Sequence, residues 1–374
     1  MKRKILFFIE SLSGGGAEQV LVTMLRHFDY AKYDVTLLTV SDVGVHLDDI
    51  DFCKVHYKSI IPKHCGRLAN FWYALKYKLI YQYLPAWLVA KLIIPYGYDT
   101  YIAFVEGYCT KIIGQLPADK KKITYVHIDL KNYPWTLQQG IYKSFEEERE
   151  VYKRYDKSVC VSRSVEEVMK SYYGLCNTTA IYNPIDVEFI NLKAKEPVDV
   201  VPSTGFNLVS VGRLVPQKGY DLLIPIIARL RNEGIDVSLY ILGEGEDRQK
   251  LETLNQELET TDFVHLLGYQ TNPHAIVSKM DAFVCSSRAE GYSLVIAEAL
   301  TMGVPVISIN CAGPNELLAD GKYGILCDNY ESLYQQLKAV ATNPALREEL
   351  HKKALLRRES LNVTNTIKQV EEII

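Results

Sequence analysis

Short apolar segments alternate with longer helical patterns along the whole chain, and this alternation constrains the fold more than any other feature. Each apolar segment is followed by a turn or a helix, which is the pattern of parallel α/β units. The predicted strands are 4–9, 35–40, 100–104, 123–127, 157–161 and 179–182, and then 206–211, 237–242, 263–267, 282–285, 304–309 and 324–326. The sequence therefore predicts an α/β fold with parallel strands.

The strand pattern is interrupted once, near the middle of the chain. Residues 183–205 contain three prolines and no sustained periodicity, and the strands resume at Phe206. A chain of 374 residues also exceeds what one hydrophobic core usually serves. We therefore predict two doubly wound Rossmann-like domains, residues 1–185 and 206–359, that face each other across a cleft and are joined by a linker at 186–205. In such sheets ligands bind outside the carboxyl ends of the strands.

Composition and charge exclude several classes of protein. The eight cysteines include no Cys-x-x-Cys pair and no zinc-site spacing, which predicts reduced thiols and a cytoplasmic protein. The apolar run at the start is too short for a signal peptide, and no run approaches the roughly 18 residues that span a bilayer. The first 185 residues carry 24 Lys and Arg against 19 Asp and Glu, and the remainder carries 18 against 26. The basic first half could attract an anionic surface.

The motif EGYSLVIAEAL at residues 290–300 places one glutamate after a predicted strand and a second in the next helix. Glu290 lies in the loop. Glu298 lies two turns up the helix, where its carboxylate can accept hydrogen bonds from both hydroxyls of a ribose. The backbone N–H groups at the helix start can hold an anion, and they belong to Gly291, Tyr292, Ser293 and Leu294. Either glutamate alone would more often be a structural or surface charge. Together they indicate a nucleotide-sugar site.

A second motif, GRLVPQKG, connects the strand 206–211 to the next helix and carries Arg213 and Lys218. Two cations fixed at this point would stabilise the negative charge of a departing nucleoside diphosphate. Exposed basic residues in a solvated loop are the alternative. Gly243 follows the strand 237–242. It either lets the backbone approach a ligand closely or serves only to form a turn.

In the first half, a glycine-rich loop and a histidine follow predicted strands. Gly15 and Gly16 precede a helix, which suggests close approach of the backbone to a phosphate or sugar. The loop does not match the dinucleotide fingerprint, because Gln19 stands where a glycine is needed. His127 ends the strand 123–127, where a lone histidine is more often structural than catalytic.

With these motifs the chain resembles the retaining glycosyltransferases of family 4, which carry Glu-x7-Glu and have the GT-B fold. The resemblance implies an acceptor-binding first domain, a nucleotide-sugar-binding second domain and a C-terminal helix at about 360–374 that crosses back to the first. It implies that Arg213 and Lys218 contact the diphosphate and that Glu290 and His127 position the donor sugar. It also implies that the loop of Gly243 lines the donor pocket, and that Gly268 and Tyr269 lie at the base.

The activity that this resemblance implies is hexosyl transfer with retention, from a nucleotide sugar to a hydroxyl of a glycan or lipid-linked glycan. We expect a UDP-sugar donor and a role in bacterial surface polysaccharide biosynthesis. Asp49 and Asp51 match the metal-binding Asp-x-Asp pattern, but so short a pattern arises by chance in most chains of this length. With Arg213 and Lys218 present we expect no metal and no cofactor besides the donor. A nucleotide-sugar epimerase and a non-catalytic two-lobed sugar-binding protein remain as alternatives.

Residues 62–98 interleave basic residues with tryptophans and many tyrosines, and the apolar ones follow helical spacing. The basic residues are Lys63, Arg67, Lys76, Lys78 and Lys91, and the tryptophans are Trp72 and Trp87. One interpretation is a pair of core helices in the first domain. The other is an interfacial surface that makes a peripheral contact with an anionic membrane at its inner face, or with a lipid-linked acceptor. No nucleic-acid-binding fold accompanies these residues, so we expect no nucleic-acid partner.

Overall fold

Residues 1–62, 67–200 and 202–374 are described by a computed structural model, and they form two units. The first unit comprises Met1–Pro184 and Val363–Ile374, and the second comprises Ile185–Asn362. Each unit is built on one sheet whose strands are all parallel.

The first unit has seven strands, and its central strands are buried. They are β1 (Arg3–Ile9), β2 (Tyr33–Ser41), β3 (Val55–Ile61), β4 (Thr100–Ala103), β5 (Lys121–Val126), β6 (Lys157–Cys160) and β7 (Thr178–Ala180). Their order in the sheet is β3-β2-β1-β4-β5-β6-β7. β1 is buried from Ile5 to Ile9, as expected for an interior strand of a parallel sheet that is covered on both faces.

The strand β3 was not predicted, so the expectation of six strands in this half is wrong by one. β3 lies at the edge of the sheet and pairs only with β2 in the described ladder. His56 is exposed, and Lys58 is one of the polar residues that interrupt its apolar pattern. An edge strand can carry such residues because one of its sides faces solvent.

The helices of the first unit connect its strands. They are α1 (Gly16–His27), α2 (Arg67–Lys78), α3 (Ala86–Ile93), α4 (Tyr108–Ile113), α5 (Trp135–Gln138), α6 (Phe145–Tyr152) and α7 (Arg163–Ser171), with a 3-10 turn at Leu47–Asp49 and a π turn at Leu79–Tyr83. The starts of α6 and α7 are fixed by serine caps. The Ser144 and Ser162 hydroxyls each accept a hydrogen bond, at 3.2 Å, from the backbone N–H three residues later.

The second unit has six strands, and all of them were predicted to within two residues at either end. They are β8 (Phe206–Val211), β9 (Val237–Leu242), β10 (Val264–Gly268), β11 (Ala282–Cys285), β12 (Val306–Ile309) and β13 (Ile325–Cys327). Their order is β10-β9-β8-β11-β12-β13. The helices are α8 (Val187–Lys193), α9 (Tyr220–Asn232), α10 (Arg248–Glu257), α11 (Pro273–Val277), α12 (Leu294–Thr301), α13 (Ala312–Leu318), α14 (Tyr330–Thr342) and α15 (Pro344–Arg358), with a 3-10 turn at Pro216–Lys218.

The segment 186–205, predicted as a linker, contains the helix α8. The side chain of Asp186 caps this helix by accepting a hydrogen bond from the backbone N–H of Phe189, at 3.0 Å. α8 packs against α11 and α12, and the Asn272 amide donates to the carbonyl oxygen of Lys193 at 2.9 Å. The first part of this segment therefore belongs to the second unit. A helix of only seven residues is too short to show a clear period in sequence.

The last helix, α16 (Val363–Ile373), belongs to the first unit, although the chain reaches it through the second. Ile367 and Val370 are buried, and α16 packs against α1. The carbonyl oxygen of Ile374 accepts hydrogen bonds from the Thr100 hydroxyl at 3.2 Å and from Lys121 Nζ at 2.5 Å. These bonds attach the end of the chain to β4 and β5.

Within the described part of the chain, no helix combines the length and the hydropathy that a membrane span requires. The seven cysteines whose structure is described are all free thiols, and Cys65 lies outside the described residues.

Candidate functional site

The strand order of the second unit reverses between β8 and β11, which are neighbours in the sheet but not along the chain. In doubly wound sheets this switch point, at the carboxyl ends of the strands, is where ligands bind. Lys218 lies in the loop after β8, and Glu290 lies in the loop after β11. The topology therefore brings together two residues that are distant in sequence.

Lys218 and Glu290 form a short, largely buried ion pair. Lys218 Nζ lies 2.6 Å from Glu290 Oε1, and their side chains are only 18% and 11% exposed. The Ser287 hydroxyl donates to the same carboxylate oxygen at 2.7 Å. Burial alone would lower the pKa of Lys218, but the negative charge of Glu290 outweighs it and holds that pKa above its ordinary value. Lys218 is therefore a cation at neutral pH.

The loop that carries Lys218 is held against the end of β11. The Ser286 hydroxyl donates to the carbonyl oxygen of Lys218 at 2.8 Å, and the Tyr330 hydroxyl donates to the carbonyl oxygen of Ser286 at 2.9 Å. Gly219 has a φ of +68°, and a Cβ on it would lie 2.2 Å from the Ser286 carbonyl oxygen. Only glycine fits there, because the two backbones approach too closely for a side chain.

Arg213 is exposed, and no ion pair or hydrogen bond of its guanidinium is found among the described residues. Its loop is packed against the loop after β9. A Cβ on Gly243, whose φ is +142°, would lie 2.0 Å from the carbonyl oxygen of Gly212. The backbone N–H of Leu214 donates to the backbone carbonyl oxygen of Glu244 at 2.9 Å. Gly243 is thus required by the packing of this loop, and its predicted place in a donor pocket stays a prediction.

The start of α12 combines backbone donors with a buried hydroxyl. α12 begins at Leu294, so the N–H groups of its first turn have no acceptor within the helix. Ser293 occupies the cap position, and its buried hydroxyl has no hydrogen-bond partner among the residues that the structure describes. Gly291 and Tyr292 are also buried, and the backbone of both lies 3.0 Å from where a Cβ on Gly313 would be. This arrangement can receive an anion or a hydroxyl.

Glu298 lies inside α12 and is 7% exposed. Its Oε1 is 3.5 Å from Nε2 of His274, the second residue of α11, which is equally buried. Burial would lower the pKa of His274, but the Glu298 charge outweighs it and raises that pKa. The structural ion-pair role considered for Glu298 is therefore present, and its predicted contact with a ribose stays a prediction.

The residues predicted to lie at the base are found at the end of β10. Gly268 has a φ of +74°, and its carbonyl oxygen accepts a hydrogen bond from the backbone N–H of Gly243 at 2.8 Å. Tyr269 follows it and is 51% exposed. β10 is one of the two edge strands of the sheet, two strands from β8.

In the first unit, three ionisable residues follow the neighbouring strands β1, β4 and β5. Glu10 follows β1, Glu106 lies three residues after β4, and His127 follows β5. The Glu106 carboxylate accepts a hydrogen bond from the backbone N–H of His127 at 3.1 Å. Sequence reasoning missed Glu10 and Glu106, although a charged residue just after a buried strand was the available signal.

His127 is held as one neutral tautomer. Its Nε2 lies 2.8 Å from the carbonyl oxygen of Phe104, which can only accept, so Nε2 carries the hydrogen. Burial lowers the pKa of His127 to about 4, only partly opposed by that hydrogen bond. Nδ1 is therefore left as an acceptor at neutral pH.

Glu10 titrates near neutrality, because burial and then the nearby charge of Glu18 raise its pKa to about 7. Glu18 belongs to the first turn of α1, and its carboxylate folds back over Gly15, the cap residue of that helix. A Cβ on Gly15 would lie 2.4 Å from Glu18 Oε2. Gly16 is the first residue of α1 and is exposed.

The two acidic residues of the rejected metal motif make local ion pairs. Asp49 lies 2.9 Å from Nδ1 of His46, and Asp51 lies 3.1 Å from Lys54. Across residues 1–62, 67–200 and 202–374, no group of three or more potential ligands has the arrangement of a metal site.

Two family models match the two halves of the chain. The model of glycosyltransferase family 4 matches residues 14–189, and the model of the group 1 glycosyl transferases matches residues 194–357. The chain is 29% identical over 369 residues to the N-acetylgalactosamine-N,N'-diacetylbacillosaminyl-diphospho-undecaprenol 4-alpha-N-acetylgalactosaminyltransferase of Campylobacter jejuni, and the match covers 96% of each protein. It is 32% identical over 145 residues to the lipopolysaccharide core biosynthesis glycosyltransferase LpsE of Rhizobium meliloti, covering 38% of this chain and 42% of that protein.

Solved structures of glycosyltransferases share the fold. The structure of HepE from Anabaena in complex with UDP-glucose superposes with a TM-score of 0.77 at 18% identity, covering 99% of this chain and 98% of HepE. A TarM variant from S. aureus, in complex with UDP among other ligands, gives a TM-score of 0.74 at 14% identity, covering 99% of each chain. At these identities the likeness shows the fold, and with it the GT-B architecture.

Proposed function

Because this chain belongs to the glycosyltransferases of family 4, we propose that it moves a hexosyl group from a UDP-sugar to a hydroxyl of a glycan or lipid-linked glycan acceptor. The observation that supports this most directly is the Lys218–Glu290 pair at the switch point of the second sheet. It supplies a largely buried cation, charged at neutral pH, beside a helix start that can bind an anion. A nucleoside diphosphate is the leaving group that such a site fits.

In the proposed reaction, the bond between the anomeric carbon and the diphosphate oxygen breaks, and the acceptor oxygen bonds to the same face of the sugar. Because the new bond forms on the same face, the configuration is retained. The acceptor proton passes to the departing diphosphate, so no protein base is required. Lys218 and Arg213 stabilise the charge that develops on the diphosphate. Glu290 has no nucleophilic role in this reaction, and its Oε1 accepts from Lys218 and Ser287.

The other site residues would bind and orient the donor. The backbone N–H groups from Gly291 to Leu294, with the Ser293 hydroxyl, offer donors to a phosphate or sugar oxygen. Glu298 would exchange its contact with His274 for the ribose hydroxyls. Nδ1 of His127, the free acceptor of its ring, would accept a hydrogen bond from a hydroxyl of the donor sugar.

The acceptor class is proposed from the relatives and not from a contact in this chain. The C. jejuni relative is named for a diphospho-undecaprenol acceptor, and LpsE is named for lipopolysaccharide core biosynthesis. A lipid-linked glycan of bacterial surface polysaccharide biosynthesis is the acceptor that suits both names.

The experiment is a nucleotide-release assay with a panel of UDP- and GDP-sugars, on the wild type and on Lys218→Ala and Arg213→Ala. We expect UDP release with a UDP-sugar, and a loss of turnover of about 100- to 1000-fold in Lys218→Ala. Lys352→Ala, an exposed lysine on α15, is the matched control and should keep full turnover. If no nucleotide sugar binds, or if both site variants turn over like the wild type, the proposal is wrong.

Two further measurements separate the alternatives. An epimerase would convert the donor into its epimer without an acceptor, so the sugar released or recovered is identified by chromatography.

We also propose that transfer needs no metal, because Arg213 and Lys218 supply the positive charge that a divalent ion would otherwise provide. Turnover that survives excess EDTA is the expected result, and turnover that EDTA abolishes and Mg²⁺ restores would contradict it.

A further inference from the structure

The segment 72–96, which includes the described side chains of α2, the π turn and α3, exposes large apolar side chains to an unusual degree. Between Trp72 and Leu79, every residue except Tyr73 is exposed. The most exposed apolar side chains of the segment are Trp72 at 57%, Tyr83 at 72%, Trp87 at 58%, Leu92 at 67% and Tyr96 at 58%. We call this surface the aromatic face. Patches of this kind usually mark an interaction site.

The opposite side of the same segment is anchored in the first unit. Ile80, Val89 and Ala90 are buried in its core. The rings of Tyr77 and Tyr81 stack at 4.2 Å between centroids, and Tyr81 stacks on Tyr108 at 4.0 Å. This burial fits the core-helix interpretation for one side of the segment, and the interfacial interpretation of its exposed side stays a prediction. Of the basic residues named for this segment, the side chains of Lys63 and Arg67 lie outside the described part of the structure.

The charged residues of the stretch that carries the aromatic face have a single sign. From residue 52 to residue 98 the chain contains no Asp or Glu. Lys76, Lys78 and Lys91 are exposed within the aromatic face itself. The basic residues of the stretch are Lys54, Lys58, Lys63, Arg67, Lys76, Lys78 and Lys91.

We infer that the aromatic face docks on a bilayer surface that contains anionic phospholipid. Trp and Tyr are the side chains preferred at the headgroup level, and leucines beside them would enter the acyl boundary. Lysines would carry their charge to the headgroups while their methylene stems cover apolar surface. A second copy of the chain is disfavoured, because a two-fold contact through this face would place cations opposite cations.

The inference rests on the proposed function for its purpose, since a lipid-linked acceptor lies at the membrane. The anchored side of the segment also approaches the site of the first unit, because Tyr81 lies near enough to Glu10, after β1, to oppose part of the rise in the pKa of that carboxyl. The docking itself depends on neither donor nor acceptor. It can therefore be tested with lipid alone.

The test is co-sedimentation of the full chain with vesicles of phosphatidylglycerol and phosphatidylcholine, and with vesicles of phosphatidylcholine alone. We expect tight binding to the anionic vesicles that weakens as salt is added. Each basic residue near such a surface contributes about fivefold in partitioning, so reversing Lys76, Lys78 and Lys91 to Glu should reduce binding by more than about 100-fold. Lys250, Lys352 and Lys353 reversed to Glu, in the second unit, give the matched control and should bind nearly as the wild type does.

Tryptophan fluorescence tests the contact directly, because the chain has three tryptophans and Trp72 and Trp87 both belong to the aromatic face. Brominated lipid should quench the wild type strongly, and a Trp72→Phe, Trp87→Phe variant, which keeps only the half-buried Trp135, should be quenched little. Trp87→Ser with Leu92→Ser should weaken binding, with an unchanged circular-dichroism melting curve showing that the variant is folded.

The inference would be overturned if the chain did not bind anionic vesicles, or if the control triple variant lost as much binding as the Lys76, Lys78 and Lys91 variant. It would also be overturned if the wild type formed a dimer that does not bind lipid and that Trp87→Ser dissociates. Nucleotide release measured without vesicles reports the proposed function separately. A chain that docks but releases no UDP would refute the proposed reaction and not the docking.

Discussion

Replacing Lys218 by methionine distinguishes a residue that stabilises the fold from one that stabilises the leaving group. The substitution keeps most of the side-chain volume and leaves the Glu290 carboxylate with the Ser287 hydroxyl as its remaining close donor. Removing one partner of a fully buried ion pair costs about 3–5 kcal/mol. The side chains of Lys218 and Glu290 are still 18% and 11% exposed, so we expect a loss just below that range, about 2–3 kcal/mol.

The assay is a double-mutant cycle with Lys218→Met, Glu290→Gln and both together. All three tryptophans precede the second unit in sequence, so local stability is followed by hydrogen exchange of peptides covering β8, β11 and α12. The double variant should be more stable than the two single losses predict, by about 2 kcal/mol of coupling energy. A coupling below about 0.5 kcal/mol would show that the pair contributes little to the unit.

If Lys218 acts on the diphosphate, turnover should not recover in the double variant as stability does. Lys218→Met should lower kcat about 100- to 1000-fold, and adding Glu290→Gln should recover stability but not kcat. If the double variant instead turns over like Glu290→Gln alone, Lys218 serves only to hold Glu290. The argument that it neutralises the leaving group would then be refuted.

Three other predictions follow from the geometry. Glu10 has a folded-state pKa of about 7, above its ordinary 4.5, so the folded form binds the extra proton and stability falls as pH rises between these values. Glu10→Gln should therefore raise the melting temperature at pH 8 and much less at pH 5, and an equal shift at both would contradict the burial of that charge. Gly15→Ala should cost little stability, since its Cβ meets only the end of the Glu18 side chain, but it should weaken any ligand contact that depends on Glu18, as measured by donor and acceptor KM. Gly243→Ala should destabilise the second unit by more than about 2 kcal/mol in urea unfolding, because its Cβ would meet the Gly212 backbone at a φ of +142°, and a variant as stable as the wild type would contradict that.

Sequence reasoning was most successful where one strand or one motif carries its own signal. Buried parallel strands are continuous apolar runs, and twelve of the thirteen could be located from them. The edge strand β3 was missed because its solvent-exposed polar residues interrupt the apolar pattern. The helix α8 was missed because seven residues are too few to show a helical period. Glu10 and Glu106 were missed because one carboxylate after a strand resembles any surface charge until its burial is known.

The sequence by itself determined the parallel α/β fold, its division into two halves and the residues of the Glu-x7-Glu motif, because these depend on local spacing along the chain. Only the tertiary structure decided that Lys218 pairs with Glu290 across 72 positions and that Glu298 meets His274. It also decided that Ile80 and Val89 pack inward while Trp87 and Leu92 remain exposed. Such contacts depend on which strands become neighbours and on which face of a helix meets the core. Both are properties of the packed chain, and no short window of sequence contains them.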